Sequence, residues 1–252
     1  MSDFPDPDDL LAHTAHRPWP VPDGPWIMTQ SWHDLLFAHW PLDPGVLARK
    51  LPVELPLDLF DDRAWIGVIP FHMTNVAPRG MLSLPMLSAF PELNVRTYVT
   101  LNGKPGVYFF SLDAASTLAV IGARAVFNLP YYRAAMAVHT GTRRVTYRSV
   151  RRSAVNAQFA GTYGPVGAVS PAAPGTLEYF LTERYCLYTT TRAGEPRRLE
   201  IHHKPWPLQT ADAQIAVNTM ATAAGITLPT EAPLLHFAKR MDVLTWGMTK
   251  AA

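Results

Sequence analysis

The sequence has little cysteine, little net charge and no long apolar run, and each shortage excludes a class of protein. The single cysteine, Cys186, excludes an internal disulfide and fits a reducing compartment. The formal net charge is only +2, from 22 basic and 20 acidic residues, so a dedicated nucleic-acid surface is not expected. No uncharged apolar run reaches the roughly 18–20 residues that span a bilayer. We therefore expect a cytoplasmic protein with no nucleic-acid partner and no membrane partner.

Glycine is scarcer than proline, at 15 residues against 24. Proline removes a backbone donor and interrupts regular elements, so many short strands joined by loops fit this chain better than a helical bundle. Hydrophobic residues make up 48% of the 252 positions, which is enough for a core. Residues 1–25 are rich in proline and acids and lack the regions of a signal peptide. We expect a flexible arm over 1–25, mobile or draped on the surface, and a single domain over 26–252.

The residue patterns predict a mainly antiparallel β (α+β) domain with a few short helices. A hairpin that turns at Asn102-Gly103 is the clearest signal, because this dipeptide favours positive φ. Other strands are expected at 32–40, 64–71, 132–140, 143–152, 185–192, 197–206 and 236–248. Helices are expected after Asp43, at 114–129, at 176–184 and at 215–224, with Gly225 ending the last one. Residues 161–175 are expected to be loop. Residues 76–89 are expected to be a loop that buries its apolar side chains against the core or over a cavity mouth.

Arg96 is the first candidate for a binding residue. It shares a strand face with Asn94 and Tyr98, and such a polar face is expensive to bury in an apolar core. The face therefore points to solvent or to a wet cavity inside a barrel, where a guanidinium can bind a carboxylate or phosphate through two hydrogen bonds. A structural ion pair with Glu92 or Asp113 explains the residue equally well, and both interpretations stay open.

The remaining candidates carry weaker signals. Adjacent strand residues face opposite sides, so only one of His202 and His203 can face inward. No cysteine or carboxylate stands at ligand spacing from this pair, so no metal is expected. Glu183 forms a local ion pair or faces the same pocket as Arg96, and Cys186 is expected to be inert. Because the chain has no nucleophile elbow and no phosphate-binding glycine loop, no cofactor is expected.

Several blocks in order, over about residues 28–248, resemble the YqjF-like family of uncharacterised proteins. The blocks are LLFAHWPLDP, AWIGVIPF, FPELNVRTYV, GVYFFSLDA, NLPYYRA, LTERYCLY and HHKPWPL. The resemblance places the chain in the acetoacetate-decarboxylase-like superfamily. It implies an antiparallel β barrel or cone around an internal cavity, and it favours the pocket interpretation of Arg96.

The same resemblance implies that the decarboxylase chemistry is missing. The superfamily's decarboxylases form a Schiff base between a lysine and a β-keto acid, and that lysine follows a helix and a proline. The similar stretch here is GARAVFNLPYYR, in which Tyr131 and Tyr132 follow the proline. The family's acidic residue on the preceding strand aligns near Arg96, and Lys104 lies at an exposed hairpin tip. We therefore predict that the protein is not an acetoacetate decarboxylase.

Three functions stay open from the sequence. The first is binding of a small organic acid or polar aromatic compound in the cavity, and the second is an enzyme of different chemistry in which a tyrosine or Glu183 moves protons. The third is a structural protein with a filled barrel. The candidate site residues are Arg96, Tyr98, Asn94, Tyr131, Tyr132, Glu183 and His202. Whether the chain forms a homo-oligomer is left open.

Overall fold

A computed structural model describes residues 3–81, 88–117, 120, 127–153 and 155–251. The strands of these residues are β1 Met28–Leu42, β2 Ala64–Pro78, β3 Phe90–Leu101, β4 Lys104–Ala114, β5 Tyr131–Thr140, β6 Val145–Arg151, β7 Gln158–Pro165, β8 Cys186–Thr190, β9 Pro196–His202, β10 Leu208–Asn218, β11 Leu234–Thr245 and β12 Thr249–Lys250. The helices with described bounds are α1 Pro7–Leu11, α2 Pro44–Ala48 and α3 Leu177–Thr182, with a 3-10 turn at Thr222–Ala224. This confirms the expected mainly antiparallel β architecture.

The strands close into two rings that share a wall. Parallel pairing of β4 with β5 closes a nine-strand ring in the order β4-β3-β2-β1-β11-β10-β7-β6-β5. Pairing of β9 with β11 closes a second ring of seven strands, β4-β3-β2-β1-β11-β9-β8. Five strands, β4, β3, β2, β1 and β11, therefore belong to both rings, and the result is a closed barrel with two interiors.

The shared strands are buried on both faces because each face borders one of the interiors. In β1, Leu36 belongs to the core of the nine-strand ring, whereas Leu35 and Phe37 belong to a second cluster on the opposite face. In β3, Val95 belongs to the first core, and its neighbours Asn94 and Arg96 face the other way. Side chains that alternate along a strand point to opposite faces, so one strand supplies both interiors.

Two helix predictions are confirmed by their caps. The Asp43 carboxylate accepts a hydrogen bond from the backbone N–H of Gly45, and Pro44 begins α2. Thr176 caps α3 in the same way by accepting from the N–H of Tyr179. Asn102 and Gly103 both have positive φ, as the hairpin prediction requires.

Two other sequence predictions are wrong. Residues 161–165, part of the loop expected over 161–175, belong to strand β7, and residues 215–218, expected to be helix, belong to strand β10. These two strands pair with each other, so the sheet overrides the local preference of both segments. Gly225 does end a helical turn with positive φ, but only the 3-10 turn Thr222–Ala224 precedes it. The predicted helix at 114–129 and the loop at 76–89 fall partly outside the described residues.

The arm before Trp26 packs on the barrel. Leu10 of α1 is buried against Leu244 and Trp246. Arg17 is also buried, where it forms a salt bridge to Glu200 and lies over an aromatic ring. In the described part of the chain, no helix has the length and apolar composition that a bilayer crossing requires.

Candidate functional site

A cavity of about 610 Å³ is lined by strands of the seven-strand ring. Most of the lining is apolar and comes from side chains of β1, β2, β3, β4, β8 and β9. Its apolar residues include Met28, Trp32, Leu35, Ile69, Phe71, Met73, Val76, Phe90, Val107, Phe109, Leu112, Leu129, Leu187, Leu199 and Ile201. A small number of polar residues interrupts this wall. Such a wall is typical of pockets for small molecules, in which few polar groups set the orientation of the ligand.

Arg96 is one of the few polar residues that line this cavity. Its Nη2 donates to the carbonyl oxygen of Leu181 at 2.9 Å, and its Nε donates to the Tyr98 hydroxyl at 3.3 Å. The guanidinium carbon also lies 5.5 Å from the centre of the Phe37 ring. Among the described residues, neither Glu92 nor Asp113 forms a salt bridge with Arg96. Its positive charge therefore has no carboxylate partner within that part of the chain.

A second guanidinium, that of Arg184, also borders the cavity but is neutralised. Its Nη1 lies 2.6 Å from Oδ2 of Asp58, and its Nε donates to the carbonyl oxygen of Phe180. Of the two arginines that line the cavity, Arg96 is therefore the one that has no counter-ion among the described residues.

Three buried residues in the wall carry polar atoms that have no hydrogen-bond partner among the described residues. The atoms are Oδ1 of Asn94, Nε2 of His203 and Nε1 of Trp206. Leaving a buried polar atom unpaired costs about 1–3 kcal/mol, and in native proteins such atoms usually meet a ligand or a water. Nδ1 of His203 donates to the carbonyl oxygen of Lys204 at 2.7 Å.

Glu92 and Tyr131 are hydrogen-bonded neighbours in the cavity wall. The Tyr131 hydroxyl donates to Oε2 of Glu92 at 2.8 Å, and both residues are buried lining residues. Burial raises the pKa of Glu92 to about 8, although the hydrogen bond from Tyr131 lowers it. The carboxyl is therefore mostly protonated at neutral pH and adds little negative charge to balance Arg96.

Tyr98 lies behind Arg96 and is not one of the described lining residues. Its hydroxyl donates to the carbonyl oxygen of Leu181 at 2.8 Å and lies 2.6 Å from Nε2 of His39. Burial lowers the pKa of His39 well below its ordinary value, so His39 is neutral and its Nε2–H donates to the Tyr98 oxygen. Tyr98 thus holds Arg96 in place without facing the cavity.

The other three sequence candidates lie away from the described lining. Tyr132 stacks its ring 4.0 Å from the guanidinium carbon of Arg151. Both oxygens of Glu183 are occupied, one by the Tyr185 hydroxyl and the other by the backbone N–H of Trp206. His202 faces the N-terminal arm, where its Nε2 lies 2.9 Å from the carbonyl oxygen of Leu10.

The structure therefore brings together Arg96, Asn94 and Tyr131 and adds three lining residues that the sequence reasoning missed, Glu92, His203 and Trp206. His203 follows from the rule that only one of the two adjacent histidines faces inward, but the sequence does not say which. Trp206 is expected in a strand over 197–206, but β9 ends at His202 and Trp206 lies in the loop that follows.

No described lining residue is a lysine. All five lysines fall in the described part of the chain: Lys50, Lys104, Lys204, Lys239 and Lys250. Lys104 is partly exposed at the hairpin and pairs with Glu200 at 3.2 Å, outside the cavity. Among the described residues, no group of three or more metal-binding side chains is close enough to hold an ion.

Comparisons with known proteins agree with this architecture. The sequence model of the DUF2071 family, described as "Uncharacterized conserved protein", matches residues 29–242. The "Uncharacterized protein YqjF" of Bacillus subtilis (strain 168) is 50% identical over 230 residues, which cover 91% of this chain and 95% of that protein.

Two solved structures have a similar fold at low sequence identity. An acetoacetate decarboxylase from Legionella pneumophila subsp. pneumophila str. Philadelphia 1 has a TM-score of 0.62 at 12% identity, covering 98% of this chain and 96% of its own. The enduracididine biosynthesis enzyme MppR, complexed with the condensation product of pyruvate and imidazole 4-carboxaldehyde, also has a TM-score of 0.62, at 10% identity, covering 91% of this chain and 90% of its own. At these identities the likeness establishes a shared acetoacetate-decarboxylase-like fold.

Proposed function

Because the chain belongs to the DUF2071 family of uncharacterized conserved proteins, whose description names no activity, we propose a function from the cavity itself. The protein binds a small organic acid in the cavity of the seven-strand ring, and Arg96 binds its carboxylate. The observation that carries this proposal is the guanidinium of Arg96, which faces a mostly apolar cavity without a described carboxylate partner. An uncompensated cation in such a setting favours an anionic ligand, because its attraction is weakly screened there.

Two further observations support an anion as the ligand. The only carboxyl among the described lining residues, Glu92, is mostly neutral at pH 7 and so does not repel an anion. The names of the two structural neighbours refer to acetoacetate and pyruvate, which are both small organic acids. A cavity of about 610 Å³ also argues against a filled barrel with a purely structural role.

The proposal excludes a Schiff-base mechanism. An imine requires a lysine amine, and the described cavity wall holds Tyr131 but no lysine. The phenol of Tyr131 cannot form an imine or act as an electron sink. The protein therefore binds its acid without the covalent step on which decarboxylases of this fold depend.

An enzyme of different chemistry is the second candidate, and the Glu92–Tyr131 pair favours it. A carboxyl with a pKa near 8 that faces a cavity can give up or take a proton close to neutral pH. In such an enzyme, Arg96 would bind the carboxylate of the substrate, and Glu92 would give a proton to the substrate or take one from it. Glu183, the sequence candidate for that role, has both oxygens occupied outside the described lining.

Thermal-shift measurements with small acids test the proposal, because a ligand that binds only the folded state stabilises it by mass action. Acids should raise the melting temperature of the wild type, whereas Arg96→Gln should remove that increase. Arg240→Gln is the matched control, since Arg240 pairs with Asp3 and Asp242 outside the cavity. An acid-induced shift that persists unchanged in Arg96→Gln would exclude Arg96 from the site. Mass spectrometry of the incubated acids then separates a binder from an enzyme.

A further inference from the structure

The cavity has an axis, and the register of β2 and β3 shows how its lining changes along that axis. Arg96 pairs with Gly67, Asn94 with Ile69, Glu92 with Phe71, and Phe90 with Met73. Four levels follow one another from Arg96 to Phe90. The six residue steps between them span roughly 20 Å at about 3.3 Å per residue. The cavity is therefore elongated along the strands.

Polar groups hold the guanidinium of Arg96, while Val107 and Leu187 line the wall one level beyond it. Tyr98 and the carbonyl oxygen of Leu181 lie directly behind the guanidinium. The Phe37 ring, 5.5 Å from the guanidinium carbon, is in edge contact with Trp206 at 5.0 Å. Trp206 in turn lies 5.3 Å from the ring of His203.

Trp206 also stacks on Trp32, with ring centres 5.9 Å apart, so its ring lies between Phe37 and Trp32. Asn94 lines the cavity one level from Arg96 towards Phe90. The charged group that can bind a carboxylate is therefore Arg96.

The other end is apolar. Beyond the level of Glu92, the wall is formed by Phe90, Met73, Val76 and Met28, with Trp32 opposite Met73 in the β1–β2 register. Gln30 also lines this end, and its side-chain oxygen accepts a hydrogen bond from Nε1 of Trp32. No charged side chain of the described residues lines this end. Pro78 is exposed here and Met28 and Val76 are half-buried, so this end lies near the surface.

We infer that the ligand is an elongated amphipathic carboxylic acid, either a medium-chain alkanoic acid or an acid with an aryl group on an alkyl chain. Its carboxylate lies at Arg96 and its apolar part extends past Phe71 to Met73 and Phe90. This inference rests on the proposed function and adds the substrate class. A short keto acid would occupy only the polar end and leave the apolar end without contact, whereas each methylene placed there contributes to binding.

Isothermal titration calorimetry with a chain-length series tests the inference. The series is acetate, butyrate, hexanoate, octanoate and 4-phenylbutyrate, with hexanamide and octanamide as neutral analogues of equal length. The dissociation constant should fall about fourfold for each added methylene, which corresponds to ~0.8 kcal/mol per buried CH₂. The amides should bind far more weakly than the acids, and Arg96→Gln should remove this difference.

A variant of the apolar end separates the two parts of the site. Val76→Phe narrows that end without touching Arg96, so it should weaken octanoate binding at least tenfold and leave butyrate binding within about twofold. Arg96-dependent binding whose strength does not change with chain length would overturn the inference and leave the proposed function standing. If no acid bound at all, the proposed function would fail with it. If octanamide bound as tightly as octanoate, the carboxylate would not lie at Arg96.

Discussion

The Tyr131 hydroxyl is held 2.8 Å from Oε2 of Glu92, on the wall of the cavity. Burial raises the pKa of this carboxyl from its ordinary value of 4.5 to about 8. The folded protein therefore holds the proton more tightly than the unfolded chain does. The stabilisation that results from this difference in pKa is fully present below pH 4.5 and is lost as the pH rises through 8.

Glu92→Gln should remove this pH dependence. Between pH 7 and pH 9, the free energy of unfolding of the wild type should fall by about 1.4 kcal/mol more than that of the variant, because only the wild type must ionise a buried carboxyl. Urea unfolding at both pH values measures the difference. Glu54→Gln, at an exposed position, is the control and should follow the wild type. If the free energy of unfolding changed with pH by the same amount in the wild type and in Glu92→Gln, the raised pKa of Glu92 would be contradicted.

The ion pair of Asp113 and Arg151 joins β4 to β6, and breaking it should destabilise the fold strongly. Nη2 of Arg151 lies 2.7 Å from Oδ1 of Asp113, and both side chains are almost fully buried. Asp113→Asn leaves the guanidinium buried without its counter-ion, at an expected cost of about 3–5 kcal/mol. Asp212→Asn breaks the exposed pair with Arg144 and should cost no more than about 1 kcal/mol. Equal losses in the two variants, measured by urea unfolding, would contradict this prediction.

Acid should loosen the N-terminal arm. Burial lowers the pKa of His202 from 6.5 to about 4, so its contribution to stability is present above pH 6.5 and is lost as the pH falls toward 4. We expect a loss of about 2 kcal/mol between pH 7 and pH 5 from this residue. Protonation of Nδ1 would also place a charge beside Arg17, which lies 3.5 Å away.

Hydrogen exchange of residues 8–19, followed at pH 7 and pH 5, detects this loosening. His202→Gln should reduce the difference between the two pH values, and His139→Gln, at an exposed position, should leave it unchanged. If exchange in the arm did not change with pH, the coupling between His202 and the arm would be disproved.

Most strands could be predicted because their signals are local. Asn102-Gly103 specifies its turn by φ alone, and the caps at Asp43 and Thr176 require only the next few residues. Strand β7 could not be predicted because its glycines look like loop residues, although one of them is needed for close contact with the backbone of another segment. A Cβ on Gly164 would lie 2.3 Å from the carbonyl oxygen of Arg143, so this glycine permits close backbone approach and is not a sign of a loop.

The site could be predicted only where one strand supplies it. Asn94 and Arg96 share a face of β3, and alternation along that strand identifies both. Glu92 shares that face too, but its partner Tyr131 lies on β5, which reaches β4 through a parallel pairing that no local pattern specifies. His203 and Trp206 lie beyond the end of β9, where strand alternation does not determine which way a side chain points.

Replacing Tyr131 by lysine tests whether the absence of an amine is what removes Schiff-base chemistry from this cavity. The substitution is made in a Glu92→Gln background, because a carboxylate beside the new amine would hold it as an ammonium ion. Tyr131→Lys then places an amine in an apolar wall, where burial lowers the pKa of a lysine and frees it as a nucleophile. After incubation with acetoacetate and reduction with borohydride, mass spectrometry should find an adduct on residue 131 of this variant and none on the wild type. Tyr132→Lys is the matched control, because residue 132 packs on Arg151 outside the described cavity lining. An adduct on the wild type would mean that a lysine outside the described lining reacts. Equal yields from the two variants would mean that the cavity does not activate the amine at position 131.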